Sequence, residues 1–316
     1  MRKSPTGDMA YERMNTLNGF LRERFGRKMI KLMLDGGFTC PNRDGTKGTG
    51  GCLFCNESAS GDFARAASPD SISHALTDQI ALFEEKWPDA GYIAYFQNHT
   101  NTYAPVEKLK ALFGAALADP RVEGLAVATG PDCLPDDVLE YLGKLAKDNF
   151  IWVELGLQTS DDNIANTVNR CYPTSEYDLA MQRLCSIGIP TVTHIILGLP
   201  GESEDDMKES VRHACLSKTW GIKLHLLNVV KGSRLAADMP DYVPFSSMDE
   251  YVSLVCDIIE ELPPDVVIHR LTGDAPRKIL IAPEWSYRKR TIMNSINHEL
   301  VRRDSFQGSR LTDINP

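Results

Sequence analysis

Cys40-Pro41-Asn42-Arg43-Asp44-Gly45-Thr46-Lys47-Gly48-Thr49-Gly50-Gly51-Cys52-Leu53-Phe54-Cys55 gathers three cysteines into one glycine-rich loop. Cys52 and Cys55 form a C-x-x-C pair, a spacing at which one tight turn aims two thiolates at one metal centre. Cys40 lies upstream across a stretch whose glycines let the loop fold back. A soft, thiolate-only donor set selects zinc or an iron–sulfur cluster. A structural site is normally closed by a fourth protein ligand, so three thiolates leave one position open for chemistry. A disulfide is disfavoured, because no secretion signal precedes the loop. Structural zinc would need a fourth ligand, and His74 and His99 are not at finger-like spacing. A cubane cluster with one open iron is the favoured reading and zinc the alternative.

Outward from the loop the chain alternates strand and helix. Apolar runs predict strands at 31–34, 92–96, 124–129, 152–158, 191–197 and 223–229. Helical periodicity predicts helices at 71–86, 106–117, 136–147, 176–187 and 204–216. Six such units imply parallel pairing and a partial (β/α)6, TIM-like barrel over residues 31–235, open on one side. Residues 1–30 read as a basic N-terminal extension. Residues 236–316 carry a helix at 246–262, a strand at 266–269 and a helix at 292–303, and are expected to pack on the barrel and close its open side. In the strand at 152–158, Trp152, Glu154, Gly156 and Gln158 share the face toward the interior, while Val153, Leu155 and Leu157 face the helices. Lys223 and His225 share the interior face of the sixth strand. A buried lysine is costly without a partner, so Glu154, Lys223 and His225 are the candidate catalytic and substrate-contacting residues.

The 316 residues suffice for one barrel or two smaller domains. A hydrophobic share of 42% and a charged share of 24% are ordinary for a soluble globular chain. No apolar run approaches the roughly eighteen residues of a membrane span. Met1-Arg2-Lys3-Ser4-Pro5 lacks the apolar core of a signal peptide, so a cytoplasmic location without a membrane partner is expected. The net charge of −9 opposes broad nucleic-acid binding, yet the charge is uneven. Residues 1–31 hold eight Lys and Arg against three acids, and Arg288-Lys289-Arg290 forms a second basic cluster. Such patches can track phosphates or simply be solvated helix faces.

The cysteine loop resembles that of the radical S-adenosylmethionine (SAM) enzymes, in which the methionine amine and carboxylate of SAM chelate the open iron of a [4Fe-4S] cluster. Their common spacing is C-x3-C-x2-C; the longer first gap here resembles the branch of the elongator catalytic subunit. The segments 152–159, 194–202 and 269–276 (Trp-Val-Glu-Leu-Gly-Leu-Gln-Thr, His-Ile-Ile-Leu-Gly-Leu-Pro-Gly-Glu and His-Arg-Leu-Thr-Gly-Asp-Ala-Pro) look like the YhcC-type family, also named MnmL, and the similarity covers nearly the whole chain. The resemblance implies that Cys40, Cys52 and Cys55 hold the cluster and that Phe54 lies beside the adenine of SAM. By position, Gln97 and Asn101 replace the superfamily's glycine-rich motif that holds the SAM amino group. Similarity to the oxygen-independent coproporphyrinogen oxidases implies that Gln158 binds the ribose and Arg170 the carboxylate of SAM. His194 and Gly198 share one strand face, and glycine at a strand end permits close approach of a ligand, here the adenine. Gly130 stands where relatives carry arginine, and Cys171-Tyr172 where they carry Gly-His, both on loops near the expected substrate rim.

The resemblance further implies reductive SAM cleavage, with an electron donor such as flavodoxin or ferredoxin, and work on transfer RNA. The specific expectation is conversion of carboxymethylaminomethyl-uridine toward aminomethyl-uridine at the wobble position. A small-molecule or protein substrate, and a non-catalytic metal- or cluster-binding module, are the alternatives.

Overall fold

The computed structural model describes residues 13–56 and 64–311. Residues 1–12 of the basic N-terminal stretch, Arg2 and Lys3 included, lie outside them. From residue 17 the described chain forms α1 (Leu17–Phe25), capped by Thr16, whose hydroxyl accepts from Gly19 N at 3.2 Å, and ended by Gly26 in the left-handed region. Then follow β1 (Met29–Asp35), β2 (Arg65–Ala66), α2 (Ile72–Glu84), β3 (Gly91–Phe96), α3 (Val106–Leu117), β4 (Val122–Thr129) and α4 (Asp136–Asp148). The second half continues with β5 (Phe150–Gln158), α5 (Asp162–Thr167), α6 (Thr174–Ser186), β6 (Thr191–Leu197), α7 (Glu204–Leu216) and β7 (Gly221–Leu226). The tail adds β8 (Val229–Val230), α8 (Arg234–Asp238), α9 (Met248–Glu261), β9 (Val267–Arg270), β10 (Leu280–Ala282) and α10 (Lys289–Arg302).

Eight strands form one curled parallel sheet in the order β2-β1-β3-β4-β5-β6-β7-β9, an open half-barrel of the expected class. The six expected strands are its centre. The tail strand β9 continues the sheet by pairing parallel with β7, with Ile222 opposite Ile268. The sixth strand ends at Leu226, three residues before the expected boundary, because Val229 and Val230 leave the sheet to pair antiparallel with β10.

The alternation read in β5 holds. Val153, Leu155 and Leu157 are fully buried against the outer helices, in one cluster with Tyr177 and Leu184 of α6. Removing each such side chain from water contributes about 1.5–3 kcal/mol. Trp152 belongs instead to an inner cluster with Leu17 and Leu21 of α1, Met29, Ile93, Val192 and Val267. Thus α1 plugs the N-terminal end of the half-barrel, where the sequence reads as a basic extension. The opposite end, at the strand C-termini, stays open for loops, as in α/β barrels generally.

Candidate active site

The cysteine loop leaves β1 at that open end. Its shape is set by its own backbone: Cys40 O accepts from Arg43 N at 2.8 Å, and Gly51 N donates to Asn42 O at 2.9 Å. Gly45, Gly50 and Gly51 have φ of 91°, 78° and 75°, which only glycine adopts without strain. Cys55 N donates to Cys52 O at 3.0 Å, closing the turn of the C-x-x-C pair. Leu53 N reaches Val168 O at 2.9 Å, and Asn169 Nδ2 reaches Gly51 O at 2.8 Å, so the loop is pinned to the turn after α5. Asn42 Nδ2 donates to Asn169 O at 2.5 Å and points at Cys52 Sγ at 3.5 Å.

The Cys52 thiol sits beside Cys55, and their contact, followed by burial, raises Cys52 well above the usual thiol range. The same contact, assisted by Arg43, lowers Cys55 against its burial. Burial raises Cys40. All three thiols are free, half-buried and line the same end of one cavity. Among the described residues, no three His, Cys, Asp or Glu side chains converge on one point as a single ion requires. A cubane cluster takes each thiolate on a different iron, so the donor set fits a cluster with an open iron.

The cavity, about 280 Å³, runs from these cysteines to a charged floor inside the half-barrel. Glu154 from β5 is the hub of that floor. Its Oε1 accepts from Trp152 Nε1 at 2.9 Å; its Oε2 accepts from Tyr95 Oη at 2.7 Å, His194 Nε2 at 2.8 Å and Lys223 Nζ. Burial opposes ionisation of Glu154, but Lys223 and Lys31 outweigh it and hold the carboxyl well below its usual range. Burial, then repulsion from Lys223, lowers His194 to about 4, so it is neutral near pH 7 and donates Nε2–H to the carboxylate. His225 lines the cavity beside His194, with ring centroids 5.0 Å apart.

Ten of the thirteen residues singled out from the sequence line this cavity: Cys40, Cys52, Cys55, Phe54, Gln97, Gln158, Glu154, His194, Lys223 and His225. The other three do not. Asn101 is fully buried, with Nδ2 donating to Asn98 O at 2.9 Å and Ala128 O at 2.7 Å, so it braces the loop after β3. Gly198, at φ 88°, is approached by the chain itself: a Cβ there would meet Phe245 at 2.8 Å and Pro244 at 2.9 Å. Arg170 is 1% exposed and has no N–H left for a carboxylate. Its Nε donates to Tyr172 O at 3.0 Å, Nη1 to Leu157 O and Thr159 O, both at 2.6 Å, and Nη2 to Asp162 Oδ1 at 2.9 Å and Thr174 Oγ1 at 3.0 Å. The expectation that Arg170 meets SAM is corrected to a staple that fixes the turn carrying Gln158 and Asn169.

Sequence reading passed over Tyr95, Arg270 and Asn42, which line the cavity, and Tyr172, noted there on a loop near the substrate rim, lines it too. Tyr95 and Arg270 carried a usable signal: each is a polar group in a strand otherwise built for burial.

A half-barrel with three open-loop thiols above a polar interior defines the class. The model of the radical SAM superfamily matches residues 43–214, more than half of the chain, and that of the radical SAM C-terminal domain matches residues 219–302. The chain belongs to the radical SAM superfamily and is an enzyme of that class. It is 45% identical to the uncharacterised protein YtqA of Bacillus subtilis, over 94% of this chain and 92% of that protein. It is 36% identical to protein YhcC of Escherichia coli, over 94% of this chain and 95% of that protein. A remoter relative, the tRNA-2-methylthio-N(6)-dimethylallyladenosine synthase of Carboxydothermus hydrogenoformans, is 30% identical over 46% of this chain and 34% of its own length. In structure, the Elp3 of Methanocaldococcus infernus superposes with a TM-score of 0.63 at 17% identity, over 76% of this chain and 62% of that one, which supports the same fold.

Proposed function

We propose that this enzyme binds SAM at a [4Fe-4S] cluster held by Cys40, Cys52 and Cys55, and acts on the side chain of a wobble uridine in transfer RNA, in a step from carboxymethylaminomethyl- toward aminomethyl-uridine. When bound, the cofactors supply one-electron cleavage of SAM and abstraction of a substrate hydrogen, with the electron coming from a flavodoxin- or ferredoxin-type donor. The carrying observation is the cavity itself, with the three thiols at one end and the Glu154 hub at the other. Phe54 and Gln158 line the wall between, where an aromatic face and an amide suit adenine and ribose. Gln158 Oε1 already accepts from Tyr172 Oη at 3.0 Å, which leaves its NH2 group to donate. Tyr95, His194 and Lys223 lock Glu154 in one rotamer, so a substrate meets a preorganised floor.

The transfer RNA reading draws support from the remote synthase that modifies transfer RNA and from the basic segment at the cavity edge. Asp274 lines the cavity and pairs with Lys289, which brings Arg288, Lys289 and Arg290 to the rim. Among the described residues no helix is long and apolar enough to cross a membrane. Comparison of transfer RNA nucleosides from cells with and without the protein tests the reading. Accumulation of 5-carboxymethylaminomethyl-uridine in its absence supports the step, and an unchanged nucleoside profile refutes the RNA substrate.

A further inference from the structure

Among the described residues, the floor of the cavity holds more cations than its carboxylates can match. Lys223 Nζ contacts Glu154 and Tyr95 Oη (2.8 Å), and both Lys223 and Glu154 are 1% exposed. Lys31 Nζ lies 4.6 Å from the Tyr95 ring centroid, as Lys223 Nζ does. Arg270 enters from the end of β9 and lines the same space. Against these three stand Glu154 and Asp274. Glu154 has both oxygens occupied by Trp152, Tyr95, His194 and Lys223 and cannot turn to Arg270. Asp274 lies 3.6 Å from Arg270 but is shared with Lys289. With Lys289 counted, four cations face two carboxylates, and the inner part of that excess sits at the buried Lys223 and the half-buried Lys31, an arrangement that is costly unless an anion enters. His225 lines the same space, and its Nε2 is buried with no hydrogen-bond partner among the described residues.

We propose that Lys223, Arg270 and His225, backed by Lys31, form an anion subsite that takes a carboxylate carried by the substrate. The inference rests on the cavity being the substrate chamber of a radical SAM enzyme, and it specifies what that substrate must present. The rim cations already offer phosphates a place outside, and the planar Arg270 guanidinium beside the Lys223 ammonium suits a carboxylate inside. The titration of the two lysines agrees. Burial first, then Arg270, pulls Lys31 down; burial first, then Lys31 and Arg270, pulls Lys223 well down. Glu154 opposes this but does not cancel it, and a second anion would relieve both lysines.

The test titrates the anaerobically reconstituted full-length enzyme, with SAM present, by calorimetry. Two pairs of probes differ only in charge: 5-carboxymethylaminomethyl-uridine against its carboxamide, and N-acetylglycine against N-acetylglycinamide. The acid of each pair is expected to bind about ten- to a hundred-fold more tightly, as charge-assisted hydrogen bonds in a buried site imply. In Arg270→Gln, which removes a partly exposed cation, and in Lys223→Met, that preference falls below about threefold, while amide affinity and iron content stay at the wild-type level. Lys223→Met strands a buried carboxylate, so the Arg270 variant decides if it fails to fold. Equal binding of acid and amide by the wild-type enzyme, or an undiminished preference in Arg270→Gln, overturns the subsite. Inorganic phosphate competing more strongly than N-acetylglycine overturns the carboxylate assignment. If the small acid is preferred over its amide while neither nucleoside binds, the subsite stands and the uridine reading falls. Nucleosides that bind without charge preference overturn the subsite and leave the uridine reading standing.

Discussion

Replacing Arg170 with alanine separates a structural staple from a SAM ligand. The guanidinium donates to the main-chain carbonyls of Leu157, Thr159 and Tyr172 and to the side chains of Asp162 and Thr174. Asp162 is half-exposed and can turn to water, but Leu157 and Thr159 are fully buried. Leaving two buried carbonyls without donors costs about 1–3 kcal/mol each, so the variant should lose roughly 3–5 kcal/mol. In a chain of 316 residues that lowers the melting temperature by roughly 5–8 °C. Lysine keeps the charge but not the fork, so Arg170→Lys should recover only a small part. The assay is thermal melting of the reconstituted protein by circular dichroism, paired with equilibrium dialysis of SAM well below the transition. SAM affinity should stay within about threefold of wild type in the folded variant. A wild-type melting curve together with a ten- to hundred-fold loss of SAM affinity would refute the reasoning and return Arg170 to the cofactor.

Gln158→Ala, by contrast, removes an amide that faces the cavity, and should weaken SAM about five- to tenfold in the same dialysis assay with little change in melting; unchanged affinity would take Gln158 out of the site. Glu202 accepts from the N–H groups of Gly198 and Leu199 at 3.2 Å and 3.1 Å, and burial raises its carboxyl from 4.5 to about 7. The folded state therefore keeps a proton that the unfolded chain loses, and stability falls as pH rises from 4.5 to about 7 and then levels off. Glu202→Gln carries no such slope, so urea titrations should show the variant gaining about 2–3 kcal/mol on wild type between about pH 4.5 and 8; parallel pH profiles would contradict this. Reversing Arg288 and Arg290 to Glu should weaken binding of all transfer RNAs alike and flatten the salt dependence, with cluster content unchanged. Salt-independent RNA binding in the wild-type enzyme would remove the rim from the account.

Much of this was legible in the chain because parallel strands announce themselves by composition and alternation. Trp152, Glu154, Gly156 and Gln158 fell on the interior face as the period of two requires, and the three cysteines of one loop line one cavity. What stayed hidden depended on contacts distant in sequence. Spacing puts Arg170 near Gln158 but cannot show that Leu157 and Thr159 turn their carbonyls onto its guanidinium. Gly198 is needed because Pro244 and Phe245 pack on it, a contact made across more than forty residues. The hydroxyl of Tyr95 stands out in an apolar strand, but its partners Glu154 and Lys223 arrive from other strands. Helix α1 was obscured because Arg22 and Arg24 made the segment read as basic, while only Leu17 and Leu21 are buried to seat it.

The central claim is that Cys40, Cys52 and Cys55 hold a cluster that cleaves SAM. Anaerobic reconstitution followed by iron analysis and dithionite-driven turnover measures it directly. The wild-type protein should carry roughly four irons per chain and form 5′-deoxyadenosine, and alanine at any one of the three cysteines should abolish both. A triple alanine variant that retains wild-type iron and 5′-deoxyadenosine formation would contradict the account.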